Sequence, residues 1–136
     1  MKLNDLNNIL NGMLKMNEKY LNKIIQGDSL ELLKEIESNS IDMTFADPPF
    51  NLKKSYNNYR DSLKLQEYLD WCEKWIIEMV RITKPTGSIF IHNIPRWLIY
   101  FGEYLNKRAD FKHWICWDAP TAPMGKSLQP NHYGIL

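Results

Sequence analysis

The sequence predicts an α/β fold with a mainly parallel sheet, and three observations favour this class. Short β-prone runs alternate with segments of helical periodicity along most of the chain. The length of 136 residues allows one domain. The apolar share of 44% and the aromatic share of 12% are typical of a chain that folds around a packed core. Because ligands of such sheets bind beyond the carboxyl ends of the strands, we expect a functional site at those ends.

The first half of the chain carries four predicted elements. They are an amphipathic extension over residues 1–20, a β-prone run over 23–26, a helix over 30–37 and a strand over 41–46. Asp28 or Ser29 can cap the helix, since either side chain accepts a backbone N–H. Pro48 and Pro49 must end the second strand, because neither can donate to a sheet ladder. Asp28 and Asp47 therefore each follow a predicted strand.

The second half alternates in the same way. Its predicted elements are a loop over 51–61, a helix over 65–82, a turn over 84–87, a strand over 88–92, a helix over 95–106, a strand over 111–117, a loop over 119–131 and a final strand over 133–136. The helix over 65–82 has the clearest apolar stripe in the chain. His92 ends a strand, so we expect it at the same sheet edge as Asp28 and Asp47.

Composition narrows the classes of function only a little. The formal net charge of +1 gives no overall electrostatic argument for nucleic-acid binding. Lys53, Lys54 and Arg60 either contact phosphates or belong to a solvated loop.

The cysteines and histidines show no metal-ligand spacing, so we expect no metal. Cys72 and Cys116 also lack the spacing of a disulfide framework, which favours a reducing, cytoplasmic location. No signal peptide and no apolar run of bilayer length is recognisable, so we expect no membrane contact.

The strongest chemical signal is Asp47-Pro48-Pro49-Phe50 at the end of an apolar strand. The two prolines restrict the backbone, so the Asp47 carboxylate and the carbonyl after it have little freedom. Two such acceptors suit an exocyclic amino group, which has two N–H donors. Accepting both hydrogen bonds draws the nitrogen lone pair out of conjugation, and the nitrogen becomes a better nucleophile toward a methyl sulfonium. Phe50 offers an apolar face for a planar base, worth about 1–3 kcal/mol for nucleobases on aromatic rings.

The alternative interpretation of this motif is a turn that merely ends a strand. If the motif does bind a base, the base must leave the duplex, because its amino group is otherwise out of reach. No cysteine lies near the motif, so methyl transfer would be direct, in line and governed by positioning.

From Lys23 to Leu136 the sequence resembles the amino-terminal half of the permuted class of bacterial DNA amino-methyltransferases. Asp47-Pro48-Pro49-Phe50 resembles the catalytic motif of that class, in the Asp form most often associated with adenine N6. The Ser form more often marks N4-cytosine enzymes. Further similar stretches are residues 25–30, which resemble the opening strand and turn, 84–88, which resemble the turn into the next strand, and 117–136, which resemble the flank of the target-base pocket with Asn131 and His132 at its close.

The resemblance implies a partial Rossmann-like, S-adenosylmethionine-dependent methyltransferase fold, incomplete at the carboxyl end. It implies double-stranded DNA as partner, a place in a restriction–modification system, and catalysis by Asp47, Pro48, Pro49 and Phe50. It also assigns Asp28 and Asp47 to cofactor binding. We therefore interpret residues 1–20 as an extension and 21–136 as part of a catalytic domain.

The sequence departs from the family at the cofactor site. Members carry a Phe-x-Gly-x-Gly-type loop that binds S-adenosylmethionine, and the six glycines here are too far apart to form one. The region that selects the DNA sequence is also missing. We therefore expect an incomplete cofactor site, with the missing half either absent or on a second polypeptide. The sheet should then have open edges, with Leu136 on one of them, and an uncovered apolar face, so we expect an isolated chain to be marginally stable or to self-associate.

Several residues keep two interpretations. Asp28 either lies near the cofactor adenine or only caps a helix. His92 and Asn93 face the expected site, although a lone histidine is more often structural. The five tryptophans are expected in the core rather than as stacking platforms, namely Trp71, Trp75, Trp97, Trp114 and Trp117. Tyr56 and Tyr59 could help to hold a flipped nucleotide.

At the level of function, two classes remain open. One is a transferase, or its catalytic half, and the other is a non-catalytic remnant that is either misfolded or binds DNA weakly. An N4-cytosine enzyme is a further alternative. A methyltransferase acting on protein glutamine or RNA is disfavoured, because the related motif there usually begins with Asn.

Overall fold

The computed structural model describes residues 19–56, 59–118 and 132–136. Its helices are α1 (Ser29–Lys34), α2 (Leu65–Ile82) and α3 (Pro95–Asn106), and its strands are β1 (Ile41–Ala46), β2 (Ser55–Tyr56), β3 (Tyr59–Arg60), β4 (Thr83–Asn93), β5 (Ile115–Asp118) and β6 (His132–Ile135). The two long helices and β1 begin and end where they were predicted. Most of the predicted extension and the loop over 119–131 lie outside the described residues.

Four strands form one sheet in the order β1-β4-β6-β5. β1 and β4 pair parallel, whereas β6 pairs antiparallel with both β4 and β5. The α/β class is confirmed, but the prediction of a mainly parallel sheet is wrong, since the sheet is mixed. Parallel neighbours require a crossover connection, usually a helix, and the proline-rich sequence between β5 and β6 is unsuited to form one.

The predicted strand over 23–26 is also wrong. These residues have no regular structure, and Ile24 is fully exposed. β-branched side chains favour a strand only where a neighbouring strand and a packed face receive them. Asp28 consequently follows a loop rather than a strand.

The predicted turn over 84–87 is part of β4. Ile41 faces Thr83 and Met43 faces Ser88, so the extra residues of β4 form a bulge opposite the start of β1. Pro85 and Gly87 fall inside this bulge, where the ladder needs neither the N–H that proline lacks nor the side chain that glycine lacks.

The core lies between the sheet and the helices α2 and α3. Its buried members are Tyr68, Leu69, Cys72, Trp75, Ile76, Met79, Ile91, Trp97, Leu98 and Phe101. Helix α1 is joined to α2 by Arg81, whose guanidinium donates to the carbonyls of Leu33 and Ile36 at 2.7 and 2.8 Å. Thr44 of β1 and Thr83 of β4 share a buried hydrogen bond of 3.0 Å beneath the sheet.

The opposite face of the sheet carries exposed apolar side chains. Side chains alternate between the faces of a strand, so residues paired across the ladder lie on one side. Phe45, Met43, Ile115 and Trp117 all lie on the side away from the helices, and each is exposed.

The tryptophans divide between the two environments. Trp75 and Trp97 are buried in the core, as predicted, and Trp71 packs against it. Trp114 and Trp117 are exposed, so the prediction of a core position is wrong for these two. Trp117 lies within β5 and Trp114 directly precedes it, and β5 is an edge strand of the described sheet.

The end of the chain does not form an edge of the sheet. Leu136 exchanges two backbone hydrogen bonds with Ile91, at 3.0 and 3.1 Å, and β6 lies between β4 and β5. The strands at the edges of the described sheet are β1 and β5, so the expectation that Leu136 lies on an open edge is wrong.

Candidate functional site

The parallel pairing of β1 and β4 brings Asp47 beside His92. Ala46 faces Ile91 in the ladder, so the next residue of each strand stands at the same carboxyl edge. The His92 Nδ1 atom lies 2.8 Å from Asp47 Oδ1. The side chain of Asp47 is 59% exposed and that of His92 only 10% exposed. Two of the three predicted edge residues therefore meet, and the carboxylate faces solvent.

Two buried aromatic donors hold the backbone after Asp47. The Tyr68 hydroxyl donates to the Pro49 carbonyl at 2.5 Å, and the Trp97 indole N–H donates to the Phe50 carbonyl at 2.6 Å. Burial raises the pKa of Tyr68, so its hydroxyl keeps its proton as a donor. Both donors come from the packed helices α2 and α3, so the core itself fixes the motif.

The Pro48 carbonyl differs from the carbonyls of Pro49 and Phe50 in its hydrogen bonding. Pro48 is buried, yet no group in the part of the chain that the structure describes donates a hydrogen bond to its oxygen. The sequence predicts that this oxygen and the exposed Asp47 carboxylate together accept from an amino group, and that pairing stays a prediction.

The loop after the motif folds back on itself. The Asn51 side chain accepts from Leu63 N–H at 2.8 Å and donates to the Leu63 carbonyl at 2.9 Å. Buried Asp61 accepts from Leu52 N–H at 3.0 Å. Asn51 and Lys53 adopt positive φ angles of 52° and 62°, which let the chain turn sharply. These contacts anchor the loop beside the motif.

Three aromatic rings, those of Phe50, His92 and Trp117, form a row at the carboxyl edge of the sheet. The Phe50 and His92 rings pack edge to face with centroids 5.4 Å apart, and the His92 and Trp117 rings are 5.3 Å apart. Phe50 is half-buried, so part of its surface remains open. The row joins β1, β4 and β5 at one end of the sheet.

Asp28 caps helix α1. Its Oδ1 accepts from Leu30 N–H at 2.8 Å. No hydrogen bond to its second oxygen is found within the described ranges, and the residue is exposed. The capping interpretation is thus confirmed, while one carboxylate oxygen remains able to accept from a ligand.

The remaining candidates contribute less. Lys53, Lys54 and Arg60 are exposed on the loop. The side chains of Tyr56 and Tyr59, and all of Asn131, lie outside the described residues. Both cysteines are free, with Cys72 buried and Cys116 exposed.

No group of three or more His, Cys, Asp or Glu side chains in the described ranges is arranged to hold a metal ion. No helix there has the length and apolar character that crossing a bilayer requires.

Sequence reasoning missed the roles of Tyr68 and Trp97. Trp97 was predicted in the core, which its burial bears out, and Tyr68 was assigned no role, yet the polar atoms of both reach the motif. A usable signal existed, because a buried Tyr or Trp usually finds a partner for its O–H or N–H. The carbonyls after a proline pair are natural partners, since no ladder uses them.

Known proteins resemble this chain in sequence and fold. A family model described as DNA methylase (N6_N4_Mtase) matches residues 41–136. The type II methyltransferase M.BamHI of Bacillus amyloliquefaciens is 45% identical over 118 residues, which are 85% of this chain and 28% of that protein. The DNA adenine methyltransferase YhdJ of Escherichia coli (strain K12) is 32% identical over 113 residues, 83% of this chain and 37% of that protein.

A solved structure supports the same fold. The PvuII DNA methyltransferase (cytosine-N4-specific) superposes with a TM-score of 0.61 at 20% identity, over 80% of this chain and 45% of that one. The chain thus spans less than half the length of each of these proteins. The matched family model includes β1, the motif after it and every later element of the chain, and on that ground the chain belongs to the N6/N4 DNA methylase family.

Proposed function

We propose that this chain forms the target-base part of a DNA amino-methyltransferase. The enzyme would transfer a methyl group to the exocyclic amino group of a flipped base, with adenine N6 as the preferred acceptor. The observation that carries the proposal is the pair of acceptors at the end of β1. The exposed Asp47 carboxylate is followed by the Pro48 carbonyl, to which no described group donates, on a backbone held by Tyr68 and Trp97.

The four motif residues have distinct roles in this proposal. Asp47 and the Pro48 carbonyl accept the two N–H groups of the base, which leaves the nitrogen lone pair available for attack. Pro49 fixes the chain direction and carries the carbonyl that Tyr68 holds. Phe50 stacks against the base, which must leave the duplex to reach this edge. Rigid placement of this kind is the main source of rate enhancement for a direct transfer.

S-adenosylmethionine, when bound, supplies the methyl group as a sulfonium. Asp47 lies at the edge where that group must approach the acceptor, and the second oxygen of Asp28 can accept from a donor on the cofactor. The Phe-x-Gly-x-Gly loop of the family is not in this sequence. We propose that a continuation of this chain or a second polypeptide supplies it, together with the region that selects the DNA site, as part of a cytoplasmic restriction–modification system.

The choice of adenine rests on the Asp in the first position of the motif. Relatives of this chain include one named as an adenine enzyme, while the structural neighbour is named as specific for cytosine N4. N4-cytosine is therefore the alternative acceptor. Both bases present the same two N–H donors, so the acceptor pair at Asp47 and Pro48 serves either.

A test is methyl transfer from labelled S-adenosylmethionine to unmethylated DNA, by the chain alone and together with the polypeptide encoded immediately downstream. We expect Asp47→Ala to lower transfer by at least about 100-fold, the usual effect of removing one preorganised polar group at the reacting centre. Asp42→Ala is the matched control, because Asp42 is an exposed carboxylate of the same strand that pairs with Lys84.

Each result has a definite meaning. Transfer that depends on Asp47 but not on Asp42 supports the proposal, and digestion of the product to nucleosides identifies the methylated base. Absence of transfer in both mixtures, with a folded chain, would instead establish the non-catalytic remnant that the missing Gly-rich loop favours.

A further inference from the structure

We propose that His92 is a positioning residue that fixes the Asp47 carboxylate for methyl transfer. The inference deepens the proposed function and rests on it. It assigns a task to a histidine that is 45 positions away in the sequence and that the motif does not include.

The burial of the two partners is unequal. The His92 side chain is 10% exposed, whereas the Asp47 side chain is 59% exposed. A surface ion pair joins two mobile groups and contributes little. Here a buried ring holds an exposed carboxylate, so the interaction limits the motion of the group that would meet the base.

The chemistry of the contact fixes the position of one proton. An ionised carboxylate only accepts hydrogen bonds. With Nδ1 at 2.8 Å from Oδ1, the proton must be on Nδ1 of His92. Oδ1 is then occupied, and Oδ2 remains to accept an N–H of the target amino group.

The ring itself is held from several sides. His92 lies on β4 between β1 and β6, and its backbone is in register with Ile135. Phe50 packs edge to face against the ring on one side, and Trp117 lies 5.3 Å away on another. A side chain in such a setting has few rotamers, and it can transfer that rigidity to Asp47.

The first test reads the tautomer directly in the whole chain, without any assay of activity. Long-range proton–nitrogen correlation spectra of histidine-labelled protein distinguish Nδ1–H from Nε2–H. We expect His92 to carry a proton on Nδ1, and we expect that preference to be lost in Asp47→Leu, which removes the acceptor. An unprotonated Nδ1 of His92 in the unmodified chain, or an Nδ1 proton that persists in Asp47→Leu, would overturn the inference.

The second test uses the methyl-transfer assay and asks whether a conservative substitution of His92 restores the activity that a disruptive one removes. His92→Leu removes the donor, and we expect the turnover number to fall on the order of 100-fold, as for other misplaced catalytic groups. His92→Asn places an amide N–H at nearly the same distance from the backbone, and we expect it to recover most of that loss. The KM for S-adenosylmethionine should change little in either variant.

The two tests separate the possible failures. If the unmodified chain transfers no methyl group in any mixture, the proposed function fails, and the tautomer alone decides whether His92 holds Asp47. If transfer is normal in His92→Leu, the positioning role is refuted while the proposed function stands. Equal loss in His92→Leu and His92→Asn would likewise contradict a role based on the Nδ1 donor.

Discussion

Tyr68 links the packed core to the chemistry of the motif. Its hydroxyl donates to the Pro49 carbonyl and lies 3.4 Å from the Asn93 side-chain nitrogen, which donates to it. Cys72, one helical turn later, is also fully buried. Burial raises the pKa of both groups, that of Cys72 to about 12, because the interior disfavours their charged forms.

These raised pKa values predict a loss of stability in alkali. Below pH 9 both groups are neutral in the folded and unfolded states. Above the ordinary cysteine value of 9.0 the unfolded thiol ionises first, and the folded thiol follows only at about 12. The free energy of unfolding should therefore fall between about pH 9 and 12, by about 1.4 kcal/mol per pH unit for each group once its unfolded form has ionised.

Urea denaturation at pH 8, 9, 10 and 11 measures this slope. The control is the double variant Tyr68→Phe, Cys72→Ala, which lacks both ionisable groups and should show a flatter dependence. A slope that is the same in both proteins would mean that these two groups do not govern alkaline stability.

The candidate site was predictable from sequence only in part. Asp47 stands out because the two prolines after it restrict the backbone directly after an apolar strand. His92 was placed at the correct edge, but its bond to Asp47 depends on the register of β1 against β4. Trp97 contacts Phe50 from a separate helix. Contacts of this kind depend on three-dimensional packing, which local periodicity does not encode.

The bulge in β4 gives a prediction for the parallel pair. A Cβ atom added at Gly87 would lie 2.7 Å from the Asp42 carbonyl oxygen and 2.8 Å from Thr83 Cγ2. The first neighbour is backbone of β1, which cannot rotate away. We expect Gly87→Ala to lower the free energy of unfolding by about 1–3 kcal/mol, the usual effect of overpacking.

Gly102→Ala is the matched control for that substitution. Gly102 lies within α3, and the nearest atom to an added Cβ is 4.0 Å away. Alanine should stabilise the helix there by about 0.5–1 kcal/mol. Chemical denaturation measures the free energy of unfolding of both variants. Equal values would show that the backbone of the bulge shifts to accommodate the added Cβ atom more easily than its geometry indicates.

Elements with a long, one-sided apolar pattern were predicted well. Helices α2 and α3 begin and end where periodicity and Pro95 indicated. The predicted strand over 23–26 was wrong because a strand needs a partner strand, and local composition does not show whether one is present. The prediction of a mainly parallel sheet was wrong at β6 for a related reason. Only the strands beside β6 in space decide whether it pairs parallel or antiparallel.

At the scale of the whole molecule, the sheet has one packed face and one open face. Met43 and Phe45 on β1, and Ile115 and Trp117 on β5, are between 44% and 61% exposed. Four large apolar side chains on one face exceed the scattered exposure that is normal for a monomer. The strands β1 and β5 also present edges within the described sheet.

We therefore expect the isolated chain to self-associate through this face. Sedimentation velocity over a range of concentrations should show association that Phe45→Lys weakens, because a charge on this face must be desolvated on contact. Ile99→Lys is the control, since Ile99 is 67% exposed on α3, away from the open face of the sheet. A protein that stays monomeric and unfolds cooperatively at high temperature would show that this apolar face needs no cover, and would contradict the expectation of marginal stability.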